Sequence, residues 1–387
     1  MSDAFMYMLD KNMYDITYSE DKYPSYAATI YLYNPGTPFL FASPSEDNAD
    51  QLGTVIHEFG HFLFAKKAGV YVYEFSIGMG PRLFKFKRKN DETEYSIRLL
   101  PIGGFVQMAG ESGDEESDIP KDKNLQSKTW GQKLIIMLAG ILFNLILAIV
   151  ILFIVGLVNG CETSKPYLAG IDENNTLYSL GLRNDDLITS INGKKISTTD
   201  RLMLEYQVAY GKDITLGVKD KDGKIKKVTI TPQKNEDDKG KATYTYGFSL
   251  KSNIEHGFFA AIKYAFTKFF SLMWQMLLII WYLITGKLSI SNLSGPIGIF
   301  TTVKEASKYG FINLVYLTGY ISLNLGFMNL LPIPALDGCR SLFLIIGKII
   351  GKPVNPKVEN AIHTVGFSLL MILIIFVSYN DILGLIK

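Results

Sequence analysis

The sequence holds four histidines, and two of them flank a glutamate in His57-Glu58-Phe59-Gly60-His61. On a helix, positions i and i+4 share one face, so both imidazoles can reach a single metal ion. Glu58 projects beside them, where it can take a proton from a water at the metal. The bland reading is a helix with two unrelated surface histidines, but Gly60 and Phe62 suit a tightly packed helix rather than an exposed one. A zinc site of this kind needs a third protein ligand and one position left open for water. The long zincin extension would place Gly at 64 and His at 67; Phe64 and Lys67 stand there instead. His256 sits at a polar-to-apolar junction and His363 opens an apolar run; neither has a metal-like neighbour, and both read as structural. The better candidate is Asp337, in Asn329-Leu-Leu-Pro-Ile-Pro-Ala-Leu-Asp337-Gly338. A carboxylate at the end of an apolar run is costly and is functional by default. Pro332 and Pro334 break the helix there and free backbone groups that need partners. Taken alone, Asp337 is equally well read as the cap of a helix that begins near Arg340.

The elements that must carry these residues are set by composition. Of the 387 residues, 48% are hydrophobic and 20% charged, which points to a membrane protein with a polar part. The net charge of +2 argues against a nucleic-acid binder held by bulk charge. Two cysteines cannot form a disulfide framework. Leu134 to Val158 carries no charge and is longer than a hydrocarbon core of roughly 30 Å requires. Ile312 to Leu331 and Ile362 to Val377 are further apolar runs, and Tyr264 to Thr285 is another, interrupted by Lys268 and Gln275. The polar stretch at about 160–250 reads as an α/β domain. Its segments 213–220 and 224–233 look like strands joined at Asp222-Gly223, a hairpin signal. Residues 74–108 alternate in polarity, as in Phe84-Lys85-Phe86-Lys87, and predict a short curved sheet turning near Asn90-Asp91.

Taken together, HEFGH beside an apolar helix, LLPIPALDG in a later one and SLGLRNDDLITSING between them resemble the site-2 protease family of intramembrane zinc metalloproteases. The likeness is strongest to its bacterial branch with one PDZ domain, the regulators of sigma-factor signalling. Phe75-Ser-Ile-Gly-Met-Gly80-Pro81, Pro101-Ile-Gly-Gly-Phe-Val-Gln-Met-Ala-Gly110-Glu111 and Leu293-Ser-Gly-Pro-Ile-Gly298 match as well. The resemblance runs from about residue 55 to the C-terminus. It implies zinc held by His57, His61 and Asp337, with Glu58 as general base. It also implies that Asn324, Asn329, Pro332 and Pro334 help hold an unwound substrate backbone. Its implied substrates are transmembrane proteins such as anti-sigma factors, first trimmed by another protease, with the bilayer as the working medium and no nucleic acid involved.

The chain departs from the family pattern in two places. Cys339 stands where the family has a second Gly after the LDG motif, and a small thiol fits there. Residues 1–50 match nothing in the family, and Glu46, Asp47 and Asp50 stand where lipid-facing residues belong. They contain no signal peptide, for no basic start precedes an apolar run. The first helix is then short and starts near Gln51, or the upstream reading frame is displaced, or this copy is impaired. An impaired copy would be a membrane scaffold that binds membrane proteins through its PDZ-like domain. A transporter is disfavoured because the spans show no internal repeat.

Charge sets the expected topology. Lys66, Lys67, Arg82, Lys85, Lys87, Arg88, Lys89 and Arg98 place the loop after His61 in the cytoplasm. The helix from Leu134 then runs outward and the 160–250 domain is extracytoplasmic. If 264–285 also crossed, Asp337 would end at the outer face, and one zinc cannot be shared across roughly 30 Å. That segment is therefore expected to lie in the interface. The expected fold is an α-helical polytopic protein of the cell membrane with about four spanning helices, a membrane-associated curved β-sheet and one extracytoplasmic PDZ-like α/β domain. Its parts are an atypical segment 1–50, a first helix with HExxH at 51–68, and a β-rich membrane-associated region on the cytoplasmic side at 69–130. A spanning helix at 131–158, the PDZ-like domain at 160–250 and an interfacial amphipathic region at 251–311 follow. Last come a spanning helix with the LDG motif at 312–338, a cytoplasmic segment at 339–360 and a spanning helix at 361–384.

Overall fold

Helix α1, Asn48–Lys67, carries the HEFGH motif and stops where the sequence says it should. Lys66 and Lys67 sit in its last turn, against the negative end of the helix dipole. Val70 N–H then bonds Ala65 O at 2.9 Å and Gly69 N–H bonds Lys66 O at 3.0 Å. This is a Schellman closure, and it needs the left-handed φ of 71° that Gly69 supplies. The structure is a computed structural model that describes residues 48–111, 119–236, 242–251, 253–289 and 310–386, with isolated positions between 293 and 308. Apart from its last residues, the 1–50 segment lies outside the described residues.

The described residues divide into two compact units: those up to Leu152 together with those from Leu293 onward, and Phe153–Asn292. In the first unit, α1 leads into an antiparallel hairpin of β1, Val72–Lys87, and β2, Glu94–Met108. Several register shifts bend it. At the near end Phe75, Val106 and Met108 join Ala65, Val70, Ile136 and Met137 in a buried core. Towards the turn the hairpin leaves Met79, Leu83, Phe84 and Leu100 exposed. Glu74 is buried in the sheet, with Arg82 at 2.6 Å and Arg98 at 2.8 Å. Burial alone would raise its carboxyl pKa, but hydrogen bonds from Ser96 and Arg98 and the two guanidinium charges outweigh that and lower it.

Helix α2, Trp130–Asn159, begins in this unit and ends in the other. In the second unit β3, Cys161–Glu162, and β4, Tyr167–Ala169, precede a single helical turn α3, Thr176–Ser179. Strands β5, Leu187–Ile191, and β6, Lys194–Lys195, follow, then helix α4, Thr199–Val208. Strands β7, Ile214–Lys219, and β8, Ile225–Ile230, form the hairpin that Asp222-Gly223 signals, with Asp220 accepting from the Lys224 amide. Next come β9, Gln233–Glu236, β10, Ala242–Thr245, β11, Ser249–Lys251, and β12, Ile254–Glu255. Six strands form one sheet in the order β11-β4-β5-β7-β8, with β6 paired to β5. Leu168, Ile188, Ile191, Leu202, Ile214 and Leu216 fill its core. Burying such side chains contributes roughly 1.5–3 kcal/mol each.

Helix α5, Phe258–Ile284, packs along α4. Lys268 donates to Asp200 at 2.6 Å, Ser271 donates to Asp200 at 2.7 Å, and Tyr282 donates to Glu205. Ile279 and Leu204 are buried in one cluster beside them. The opposite face of α5 exposes Phe259, Phe266, Phe270, Trp274, Trp281 and Ile284. In the first unit, α6, Phe311–Leu330, α7, Asp337–Ile350, and α8, Pro356–Ile386, complete the chain.

Among the described residues, four helices are long and apolar enough to cross a membrane: α2, α5, α6 and α8. The set differs from the expected one, which counted the HExxH helix at 51–68 and left out 264–285. Helix α1 carries Asp50, Glu58, Lys66 and Lys67 within its 20 residues, which lowers its hydropathy. Helix α5 passes on composition, although one of its faces is occupied by polar bonds to α4. Length and hydropathy do not separate a lipid-spanning helix from one docked on a folded domain.

Candidate metal centre

The three side chains named as metal ligands come together although 280 positions separate His57 from Asp337. His57 Nε2 lies 2.9 Å from Asp337 Oδ2, His61 Nε2 lies 3.1 Å from the same oxygen, and the two Nε2 atoms are 3.1 Å apart. His57 and His61 are buried. The histidines come from one face of α1, and Asp337 from the first position of α7. Asp337 thus both opens a helix and reaches the cluster, so the two readings of it in the sequence do not exclude each other. Leu336, at the N-cap, makes no side-chain cap bond.

The triangle fits a metal ion on geometric and chemical grounds. Ligand atoms about 3 Å apart are what bonds of roughly 2.0–2.2 Å to one ion require. His61 Nδ1 lies 2.7 Å from the Ile136 carbonyl, which can only accept. The proton of the neutral ring is therefore on Nδ1, and Nε2 turns a lone pair toward the Asp337 carboxylate and His57. A lone pair and a carboxylate oxygen at this distance repel unless a proton or a metal ion lies between them.

Close helix contact brings the ligands this near. A Cβ on Gly60 would stand 2.6 Å from Ala139 O, so α1 and α2 touch backbone to backbone there. A Cβ on Gly140 would stand 2.4 Å from His61 Nε2 and 2.9 Å from His57 Nε2. Helix α2 thus forms one wall of the centre through a residue without a side chain. Gly104 of β2 forms another: a Cβ there would come within 3.6 Å of Glu58 Cγ and 2.7 Å of Ser76 O. The hairpin therefore lies beside the proposed base.

The loop between α6 and α7 is held from three sides. Ala335 has a positive φ of 76°, and its N–H donates to His363 Nδ1 at 2.8 Å. Pro334 packs on α8, where a Cβ on Gly366 would overlap it at 2.1 Å. Arg340 pairs with Glu111 at 2.6 Å. Asn324 and Asn329 are buried in α6, Pro332 is exposed and Pro334 is half-buried. His363 is structural, as the sequence indicates, but its task is specific, since it fixes the loop that delivers Asp337. The contributions of Gly140 and the Ile136 carbonyl were missed in the sequence. A glycine or an asparagine within an apolar run is a usable signal only once the facing helix is known.

An HExxH helix completed by a remote carboxylate, in a chain with several helices long enough to cross a bilayer, defines a metal-dependent hydrolase of the membrane. The profile of peptidase family M50 matches residues 52–373. Regulator of sigma-W protease RasP of Bacillus subtilis is 31% identical over 409 aligned positions, covering 85% of this chain and 96% of its own. Zinc metalloprotease RasP of Geobacillus kaustophilus is 30% identical, covering 84% and 94%. A candidate zinc metalloprotease of Clostridium acetobutylicum is 38% identical, covering 85% and 93%. The chain belongs to peptidase family M50 and is a multi-pass membrane protein.

Proposed function

We propose that the protein is an intramembrane zinc endopeptidase that cuts transmembrane segments of membrane proteins, with His57, His61 and Asp337 as ligands and Glu58 as general base. The observation that carries this reading is the meeting of the three ligand atoms within about 3 Å, next to a helix that also presents Glu58. The zinc-metalloprotease names of the Geobacillus kaustophilus and Clostridium acetobutylicum relatives support the choice of metal. Zinc, when bound, supplies Lewis-acid polarisation of the scissile carbonyl and acidifies water. Glu58 takes the proton of the attacking water and passes it to the leaving amine. The substrate helix must unwind first, because a helical peptide bond is shielded by its own hydrogen bonds. Asn324, Asn329, Pro332 and Pro334 are proposed to hold the unwound backbone, and strand pairing with the β1–β2 hairpin offsets the lost hydrogen bonds.

The domain at 160–250 is read as PDZ-like and extracytoplasmic. Its proposed task is to exclude substrates with bulky outer domains and admit those already trimmed by another protease, anti-sigma factors being the type case; the name of the Bacillus subtilis relative supports that class. Helix α5 is read as interfacial. Its polar bonds to α4 on one side and its aromatic row on the other support that placement. The competing reading is a catalytically impaired scaffold. Incubating the purified protein with a model transmembrane substrate, with and without a zinc chelator, separates the two. Chelator-sensitive cleavage is expected; bound zinc or bound substrate without any cleavage favours the scaffold.

A further inference from the structure

A histidine that binds a metal through Nε2 must carry its proton on Nδ1, and an acceptor facing Nδ1 fixes that tautomer. For His61 the acceptor is the Ile136 carbonyl. For His57 the facing group is a side chain, the carboxamide of Asn144, 3.4 Å from Nδ1. Asn144 lies on α2 and is 0% exposed in a helix that is otherwise apolar around it. Its amide nitrogen faces the ring, while Oδ1 is buried and has no partner among the described residues. In that orientation the amide donates, which puts the imidazole proton on Nε2, against Asp337, and removes the lone pair a metal needs. A half-turn of the amide exchanges oxygen and nitrogen without changing its shape. The oxygen then accepts from Nδ1–H and Nε2 is free to ligate. The backbone beneath is firmly placed: Ser322 of α6 donates to the Asn144 carbonyl at 3.1 Å, and a Cβ on Gly326 would stand 3.2 Å from Asn144 Cβ.

We infer that Asn144 is a positioning residue of the metal centre, whose carboxamide oxygen accepts from His57 Nδ1–H and holds that ring in the ligating tautomer. The inference rests on the ligand set proposed above. It is tested by measuring zinc affinity, by chelator competition, on the full chain purified in detergent. Asn144→Leu has nearly the same volume and no acceptor, and should bind zinc 10- to 100-fold more weakly. Asn144→Asp keeps the acceptor and cannot donate, and should bind at least as tightly as the wild type. Wild-type affinity in Asn144→Leu overturns the inference, as does an Asn144→Asp variant weakened tenfold or more. If Asn144→Leu does not fold, the Asn144→Asp value alone decides. A wild-type protein without zinc overturns the ligand set and this inference together; a zinc-binding wild type matched by Asn144→Leu overturns this inference alone.

Discussion

Gly140 lies so close to His61 that a Cβ built on it would stand 2.4 Å from the imidazole Nε2. Two elements far apart in sequence thus share one contact, in which a missing side chain on α2 leaves room for a ligand on α1. The proposed metal site is a property of helix packing as much as of the HExxH motif.

Gly140→Ala should therefore weaken zinc binding at least tenfold, which corresponds to about 1.4 kcal/mol, by forcing the ligand rings or the helix aside. Helix content by circular dichroism should not change. Unchanged zinc affinity would mean that α2 does not approach the ligands as closely as described.

Glu58→Gln keeps the ligands and removes the proton acceptor. Zinc content should equal the wild type, while cleavage of a transmembrane substrate should fall by about 10²- to 10⁴-fold. Normal turnover would remove Glu58 from its role.

The Lys268–Asp200 pair holds α5 to α4 with both partners buried. Lys268→Met should destabilise this docking by about 3–5 kcal/mol, because Asp200 is left buried without a counter-charge, with only the neutral Ser271 hydroxyl donating to it. Adding Asp200→Leu should restore much of the loss. Two of the three tryptophans, Trp274 and Trp281, lie on α5, so thermal unfolding followed by fluorescence reports the effect. Equal stability of the single and double variants would contradict the account.

Burial pushes the Tyr246 phenol up to about 12, with the charge of Asp213 adding to the shift. Its hydroxyl donates to the carbonyls of Lys212 and Ala209. A folded pKa above the unfolded value of about 10 means that the neutral phenol is the form the fold favours. Its contribution is complete below pH 10 and is lost as pH rises from about 10 towards 12. Tyr246→Phe should flatten the alkaline limb of the stability profile of the β-domain. A limb as steep as in the wild type would show that another group controls it.

Much of this was legible in the sequence for identifiable reasons. The β7–β8 hairpin follows from its turn residues, and the shared face of His57 and His61 on α1 follows from helical spacing. Asp337 is costly where it stands, which marked it for a role. Helix α5 was harder, because its hydropathy suits a span while Lys268 and Gln275 suit a docked face. The sequence names no partner for a buried lysine, and the structure supplies Asp200. The contact of Gly140 with His61, the role inferred for Asn144 and the specific bond of His363 to Ala335 were beyond sequence reasoning, since each involves a residue brought near only by packing between helices.

The central claim is that residues 280 positions apart hold one zinc, and the zinc content of Asp337→Ala tests it most directly. Metal analysis of the full chain purified in detergent should find about one zinc per wild-type chain. The variant, left with two histidines, should retain little and lose cleavage with it. An Asp337→Ala protein that keeps wild-type zinc and activity would contradict the account and leave Asp337 as the start of a helix and nothing more.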